Sequence, residues 1–294
     1  MQGILQRISK IEELPTLPRI LFQVQSIVDS DEGDAKRLGR VIEQDPSLTA
    51  KVLKVANSAF FSSPSHRISS IPLAVTRIGF NEVRNLAMAV SLIREFSPQS
   101  NDLDYKKFWH HSVAAGYLAQ VIADHAQVVM PQDERYRCFL AGLLHDIGIL
   151  IFDQFFHSEF LQIIRYSEMS SCSFLEAERV VARKDAHPFV GGTLLELWKM
   201  DSIVISGVRF HHDPGKAAQA QQNIASVIFL AEYILCSKEK DPFEGTVTDG
   251  FSECVNNLGI TEDLWGQLLN KAETEMEKSY EIIHDESSGL LRPV

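Results

Sequence analysis

Residues Gln44–Phe61 read QDPSLTAKVLKVANSAFF, and the placement of their apolar side chains decides the fold class. Leu48, Val52, Leu53, Val55 and Ala56 recur at three- and four-residue spacing, which gathers them on one face of a helix. Asp45 is suited to cap the first turn, and Pro46 at the first helical position forfeits no hydrogen bond, because that amide has no intrahelical partner. Upstream, Ile20, Val24, Ile27 and Val28 repeat the pattern. Downstream, a loop over Ser62–Ser70 leads to another apolar-periodic run, Ile71–Ile93, with a turn at Gly79. The same spacing continues nearly everywhere, with almost no sustained two-residue alternation. The predicted fold is therefore all-α.

The chain has 294 residues, 45% of them hydrophobic, enough to bury a substantial core. Its net charge of −11 argues against nucleic acid or an anionic membrane as partner, since either requires a basic face. Ile71–Ile93 has helix-turn-helix spacing, but Arg77, Arg84 and Arg94 are offset by Glu82 and Glu95, so DNA binding is not expected. Cys138, Cys172, Cys236 and Cys254 lie far apart and read as reduced thiols. The opening MQGILQRISKIEELP lacks a secretory pattern, and the most apolar stretch, Val227–Leu235, is too short to span a bilayer. A cytoplasmic location is expected.

The polar segment Ser97–Asp102 is the best internal boundary. It divides an N-terminal helical subdomain (1–98) from a histidine-bearing helical subdomain (99–238). Residues 239–294, with weak helical spacing through Leu258, Leu264, Leu268 and Leu269, read as accessory helices whose last ten residues fray.

The residues with chemical potential lie in separated segments. His145 and Asp146 sit in AGLLHDIGILIF (141–152), whose apolar flanks predict burial. A buried ionised aspartate is costly unless paired or metal-bound, so the dipeptide is either a hydrogen-bonded pair inside a bundle or part of a metal site. Gly148 relaxes the backbone just beyond it. His111, in YKKFWHHSVAAGYLAQ (105–120), begins a helix with a stripe through Ala115, Leu118, Ala119 and Ile122, while His110 falls on the exposed side. His187 precedes Pro188 and opens a helix over 189–198, where Gly191 and Gly192 permit close approach of another helix or an anion. Alone, His187 also reads as a cap or core residue. His211 and His212 lead into the turn Asp213-Pro214-Gly215, and because adjacent helical residues diverge, only one is expected to reach a site shared with His145. Glu232, inside VIFLAEYIL (227–235), is either a buried partner or a half-exposed helix edge. Imidazole and carboxylate together suit a borderline divalent first-row metal such as Fe, Mn, Zn or Ni.

In their order these segments resemble a known family. LPTLP (14–18), QDPSLTAKVLKVANSAFF (44–61) and IPLAVTRIGFNEVRNLAM (71–88), followed by WHHS (109–112), GLLHDIG (142–148), HPFVGGTLLELW (187–198) and HHDP (211–214), are similar to the HDOD domain. That domain is a branch of the HD metal-dependent phosphohydrolase superfamily associated with bacterial signalling. The resemblance implies a multi-helix bundle of HD-domain type, in which His111, His145, Asp146 and a carboxylate on a later helix face one another. His187 and His211 or His212 would serve a second metal or a phosphate. At the later position HD hydrolases carry aspartate. Glu232 stands there in this chain, and if its extra methylene misplaces the oxygen, Glu232→Asp should tighten metal binding. The glycine-tyrosine-proline motif of the related cyclic-dinucleotide phosphodiesterases does not follow HHDP.

Two functions follow from the resemblance. One is catalytic: metal-assisted attack of water on a nucleotide or other phosphate ester, with Asp146, His187 and His212 as the catalytic set. No Walker-type glycine loop and no cluster of arginines accompanies the motif residues in sequence. The other, preferred on the sequence, is a bacterial signal-transduction output module that acts through protein contacts and keeps a vestigial or working metal site. Asn57, Ser58, Phe60 and Phe61, polar groups beside two aromatics at a helix end, are its candidate surface for a regulatory protein partner, unless they form a core-packed corner.

Overall fold

A computed structural model describes residues 4–8, 11, 14–28, 35–61, 67–96, 98, 100, 102–128, 130–183, 186–238 and 250–284. Among these, regular structure is helical throughout, as the apolar periodicity predicts. The helices are α1 (Ile4–Ile8), α2 (Arg19–Val28), α3 (Ala35–Glu43), α4 (Pro46–Ala56), α5 (Ile71–Ile78), α6 (Phe80–Glu95), α7 (Tyr105–His125) and α8 (Gln132–Leu144). They continue as α9 (Ile147–Phe155), α10 (His157–Ser170), α11 (Phe174–Val181), α12 (His187–Leu197), α13 (Ser202–Phe210), α14 (Gln222–Lys238), α15 (Phe251–Leu258) and α16 (Glu262–His284). The charged stretch after Lys238 and the last ten residues lie outside the described residues.

The chain divides into two compact units: Met1–Leu14, Gln99–Asp104 and His111–Met276 form one, and Pro15–Pro98, Tyr105–His110 and Glu277–Val294 the other. The chain changes unit after Leu14, after Pro98 and after Asp104, and again within α7 and within α16.

In the unit holding residues 15–98, α6 is the core, buried without interruption from Val83 to Ile93. Helices α2, α3, α4 and α5 all pack against it. The start of α4 is as the sequence reads: Asp45 accepts the Leu48 amide at 2.9 Å, and Pro46 occupies the first turn. Gly79 ends α5 and starts α6 at φ +93°, a conformation that side-chain-bearing residues rarely adopt.

The other unit is organised around α9, buried from Ile147 to Asp153 and packed against α10 and α12. Helix α13 lies against α8, α12 and α14, and α14 also packs on α15. The approach of α9 to α12 is so close that a Cβ on Gly148 would stand 2.1 Å from the His187 carbonyl oxygen. Gly148 thus serves the helix crossing rather than a relaxed backbone. Helix α7 begins at Tyr105, ahead of the start expected at His111. One helical stretch, Glu134–Phe155, is long and apolar enough to cross a membrane, and 89% of its most apolar window is buried inside the protein.

Candidate metal centre

His145 closes α8 and Asp146 opens α9, so the dipeptide occupies a junction between consecutive helices. The His145 ring is fixed from behind by the Gly142 carbonyl, 2.6 Å from Nδ1. Its Nε2 faces forward, 3.1 Å from Asp146 Oδ2 and 3.1 Å from Glu232 Oε2. Glu232 Oε2 is also 3.0 Å from His111 Nε2, while the Cys236 thiol donates to Oε1 at 2.9 Å. Glu232 is buried, which decides against the helix-edge alternative.

On the other side of Asp146, Oδ1 lies 3.1 Å from His187 Nε2 and 3.6 Å from His211 Nε2. His187 Nε2 is in turn 3.4 Å from His211 Nε2 and 3.2 Å from His212 Nε2. Both members of the 211–212 pair therefore reach the cluster, contrary to the expectation of one. The physical reason is that α13 stops at Phe210, so the two rings lie in the turn beyond it and escape the divergence of helical neighbours. His211 Nδ1 is held by the Val208 carbonyl at 2.6 Å.

The donor atoms form two overlapping groups, His111–His145–Asp146 and Asp146–His187–His211–His212. Within each, one donor atom per residue lies within 4.8 Å of all the others. Asp146 belongs to both. The donor chemistry fits a divalent first-row ion, and one feature calls for it: His145 Nε2 and Asp146 Oδ1 are enclosed and make no directed hydrogen bond. A bound ion would supply Lewis acidity to a phosphoryl oxygen.

Without an ion, protons do part of its work. Burial alone would raise the Asp146 carboxyl, but His145 and His187 outweigh it and hold the group well below the ordinary carboxylate range. Burial pulls His145 down, yet Asp146 and Glu232 lift it to about 9. His187, also opposed by burial, is lifted to about 10 by Glu178 and Asp146. His211 falls to about 3 through burial and the nearby His145 and His187, and His212 is lowered by burial, His211 and His187. Two imidazoles thus hold protons that a cation would displace.

Sequence reasoning missed Glu178 on α11, which is fully buried and lies 2.7 Å from His187 Nδ1. It also missed the cations that line a cavity at His212. A cavity of about 450 Å³ opens on His212, the most exposed donor at 8%, and its walls include Arg179, Lys216, Glu253 and Asn257. Arg179 is far in sequence from His212, whereas Lys216 stands just past the HHDP turn and is paired with Asp213.

The proposed contact residues form a tight corner. The Asn57 amide donates to the carbonyls of Leu53 (2.6 Å) and Ile68 (2.7 Å) and accepts the Ile68 amide at 2.7 Å. Phe60 and Phe61 are half-buried and meet edge to face at 4.9 Å, and the Ser58 hydroxyl is enclosed without a hydrogen bond. His110, expected on the exposed side, is half-buried with its ring against Tyr280.

The HDOD domain profile matches residues 14–214. The chain belongs to the HDOD family. Its fold is shared with an HDOD domain protein of unknown function from Geobacter sulfurreducens (TM-score 0.80, 22% identity, covering 95% of this chain and 96% of that one). A proposed signal-transduction protein from Marinobacter aquaeolei is similar at TM-score 0.76 and 24% identity, over 96% of this chain and 62% of that one. A proposed phosphohydrolase from Shewanella amazonensis is similar at TM-score 0.71 and 22% identity, over 96% and 99%. An uncharacterised protein of Treponema pallidum is 27% identical over 234 residues, 76% of this chain, and the match spans 42% of that protein's length.

Proposed function

We propose that this HDOD chain is a cytoplasmic output module of bacterial signalling that acts on a regulatory protein partner and retains a divalent-metal centre. One observation carries the metal centre: six buried side chains converge in two donor groups that share Asp146, with His145 Nε2 and Asp146 Oδ1 left without directed hydrogen bonds. The six are His111, His145, Asp146, His187, His211 and His212, and Glu232 is a further candidate ligand beside His111 and His145. The regulatory role is supported by the family and by its matched span, which begins at residue 14, far ahead of the first donor at His111. The signal-transduction description of the Marinobacter protein points the same way.

The test is elemental analysis of protein purified without added metal, together with two variants. Wild type is expected to carry Fe, Mn, Zn or Ni. Asp146→Asn is expected to lose the metal and keep regulation of the partner, whereas Phe60→Ala/Phe61→Ala is expected to keep the metal and lose regulation. Loss of regulation in folded Asp146→Asn protein would transfer the function to the metal centre.

The cavity at His212 favours a second reading, hydrolysis of a nucleotide or other phosphate ester. Its volume of about 450 Å³ suits a small organic phosphate, and Arg179 and Lys216 line it, although Asp213 and Glu253 in the same wall offset their charge. In that reading Asp146, His187 and His212 are catalytic. Metal-dependent turnover of a chromogenic phosphate ester, abolished by Asp146→Asn, would establish it.

A further inference from the structure

Helix α11 supplies no donor to either group, yet Glu178 on it is as deeply placed as the donors. Both of its carboxylate oxygens are committed to one residue. Oε1 accepts the His187 backbone N–H at 2.7 Å, and Oε2 lies 2.7 Å from His187 Nδ1. The helix that aims it is well determined: Ser173 and Glu176 close a capping box at its start, and Phe174, Leu175 and Ala177 are buried alongside Glu178. A carboxylate at Nδ1 accepts that nitrogen's proton, which leaves the Nε2 lone pair for the side facing Asp146, His211 and His212. His145 and His211 are fixed by backbone carbonyls at Nδ1. Only His187 of these three is held by a charged side chain.

We propose that Glu178 is a positioning residue that sets the ring plane and tautomer of His187 and strengthens Nε2 as a donor to an ion in the Asp146–His187–His211–His212 group. The inference rests on the metal reading above and adds an asymmetry to it. Loss of Glu178 weakens the group that contains His187 and spares the group that contains His111 and His145.

The test uses the full chain titrated with Mn²⁺ or Co²⁺, in wild type, Glu178→Gln, His187→Ala and the double variant. Glu178→Gln is expected to weaken one class of site by about 10–100-fold, the usual loss on removing an outer partner of a ligand. In the His187→Ala background the same change is expected to do nothing more, because Glu178 acts through His187. A merely structural role would weaken both classes and would add to the loss in the double variant, which overturns the proposal. Metal-free protein gives a second readout: the downfield ¹H signal of the His187 Nδ1–H is expected to vanish in His187→Ala and to move upfield in Glu178→Gln. Should Glu178→Gln fail to fold, Glu178→Asp, which keeps the charge but draws it back, is read by the same signal. A chain that binds metal while folded Glu178→Gln leaves both affinity and signal unchanged overturns the role of Glu178 alone. A wild-type chain that takes up neither ion overturns the metal reading and the role of Glu178 together.

Discussion

Helix α6 and the junction between α8 and α9 are equally buried but treat polar groups in opposite ways. On α6, the guanidinium of Arg84 turns to its neighbour Asn85, with Nε and Nη2 donating to Oδ1 at 3.2 and 3.0 Å. At the α8–α9 junction, side chains from α7, α12, α14 and the turn after α13 converge on His145 and Asp146, and two of the converging atoms lack directed hydrogen bonds. Among the described residues, both potential metal-binding groups lie in the unit that holds α9. A buried polar contact between neighbours on one helix holds that helix in place. One whose lone pairs point at a common centre asks for a cation.

The sharpest way to break this contrast is Asp146→Asn. Because Asp146 serves both groups, uptake of each ion should fall by more than the roughly 10–100-fold that follows loss of an outer partner, as read by isothermal titration. Retention of either ion at wild-type affinity would separate the groups. Next is Gly148→Ala, which forces a methyl against the His187 carbonyl. It should lower stability by about 1–3 kcal/mol or more in denaturant melts and weaken metal binding by moving α12.

Glu232→Asp should have a smaller effect, and in the direction opposite to the one the superfamily's aspartate suggests. Glu232 Oε2 already reaches His111 and His145, and Oε1 holds the Cys236 thiol, so shortening the side chain withdraws all these contacts. Roughly tenfold weaker metal binding is expected, about 1.4 kcal/mol. Asn57→Ala, in the other unit, should cost about 1–2 kcal/mol through its lost hydrogen bonds and leave metal content unchanged.

The mildest change is in pH. In chelated protein, His145 and His187 contribute stability that is full below 6.5, their ordinary value, and lost as pH rises through about 9 and 10. His211 and His212, held neutral by the fold, act the other way, and their contribution is lost as pH falls below 6.5. Melting temperatures of chelated protein should therefore be highest near pH 6.5, and saturating metal should raise the alkaline limb most.

The helical class was legible because three- and four-residue spacing survives in stretches such as Leu48–Ala56, and the donor histidines were legible because their flanks are apolar. Glu178 was not. In LEAERVV it resembles a solvated helix face, although the Ser173–Glu176 capping box fixes the helix start and places Glu178 beside Phe174 and Leu175 on the buried side. That is the same signal, a carboxylate on an apolar stripe, that marked Glu232. Lys216 stands just past HHDP and was legible, but Arg179 near His212 was not, because only the folding of α11 toward the turn after α13 brings it to that cavity.

The depth of the donors has a further consequence, for exchange rather than affinity. His145 and His211 have no exposed surface, and even His212 shows only 8%. An ion would reach these donors only past His212, where the cavity opens, so exchange should be slow and titrations of the native chain need long equilibration. Slow exchange would let any metal in purified protein record which ion was abundant when the chain folded, as much as which ion the donors prefer. Refolding in the presence of competing ions, set beside fully equilibrated titration of the native protein, is the experiment that would recover their intrinsic order.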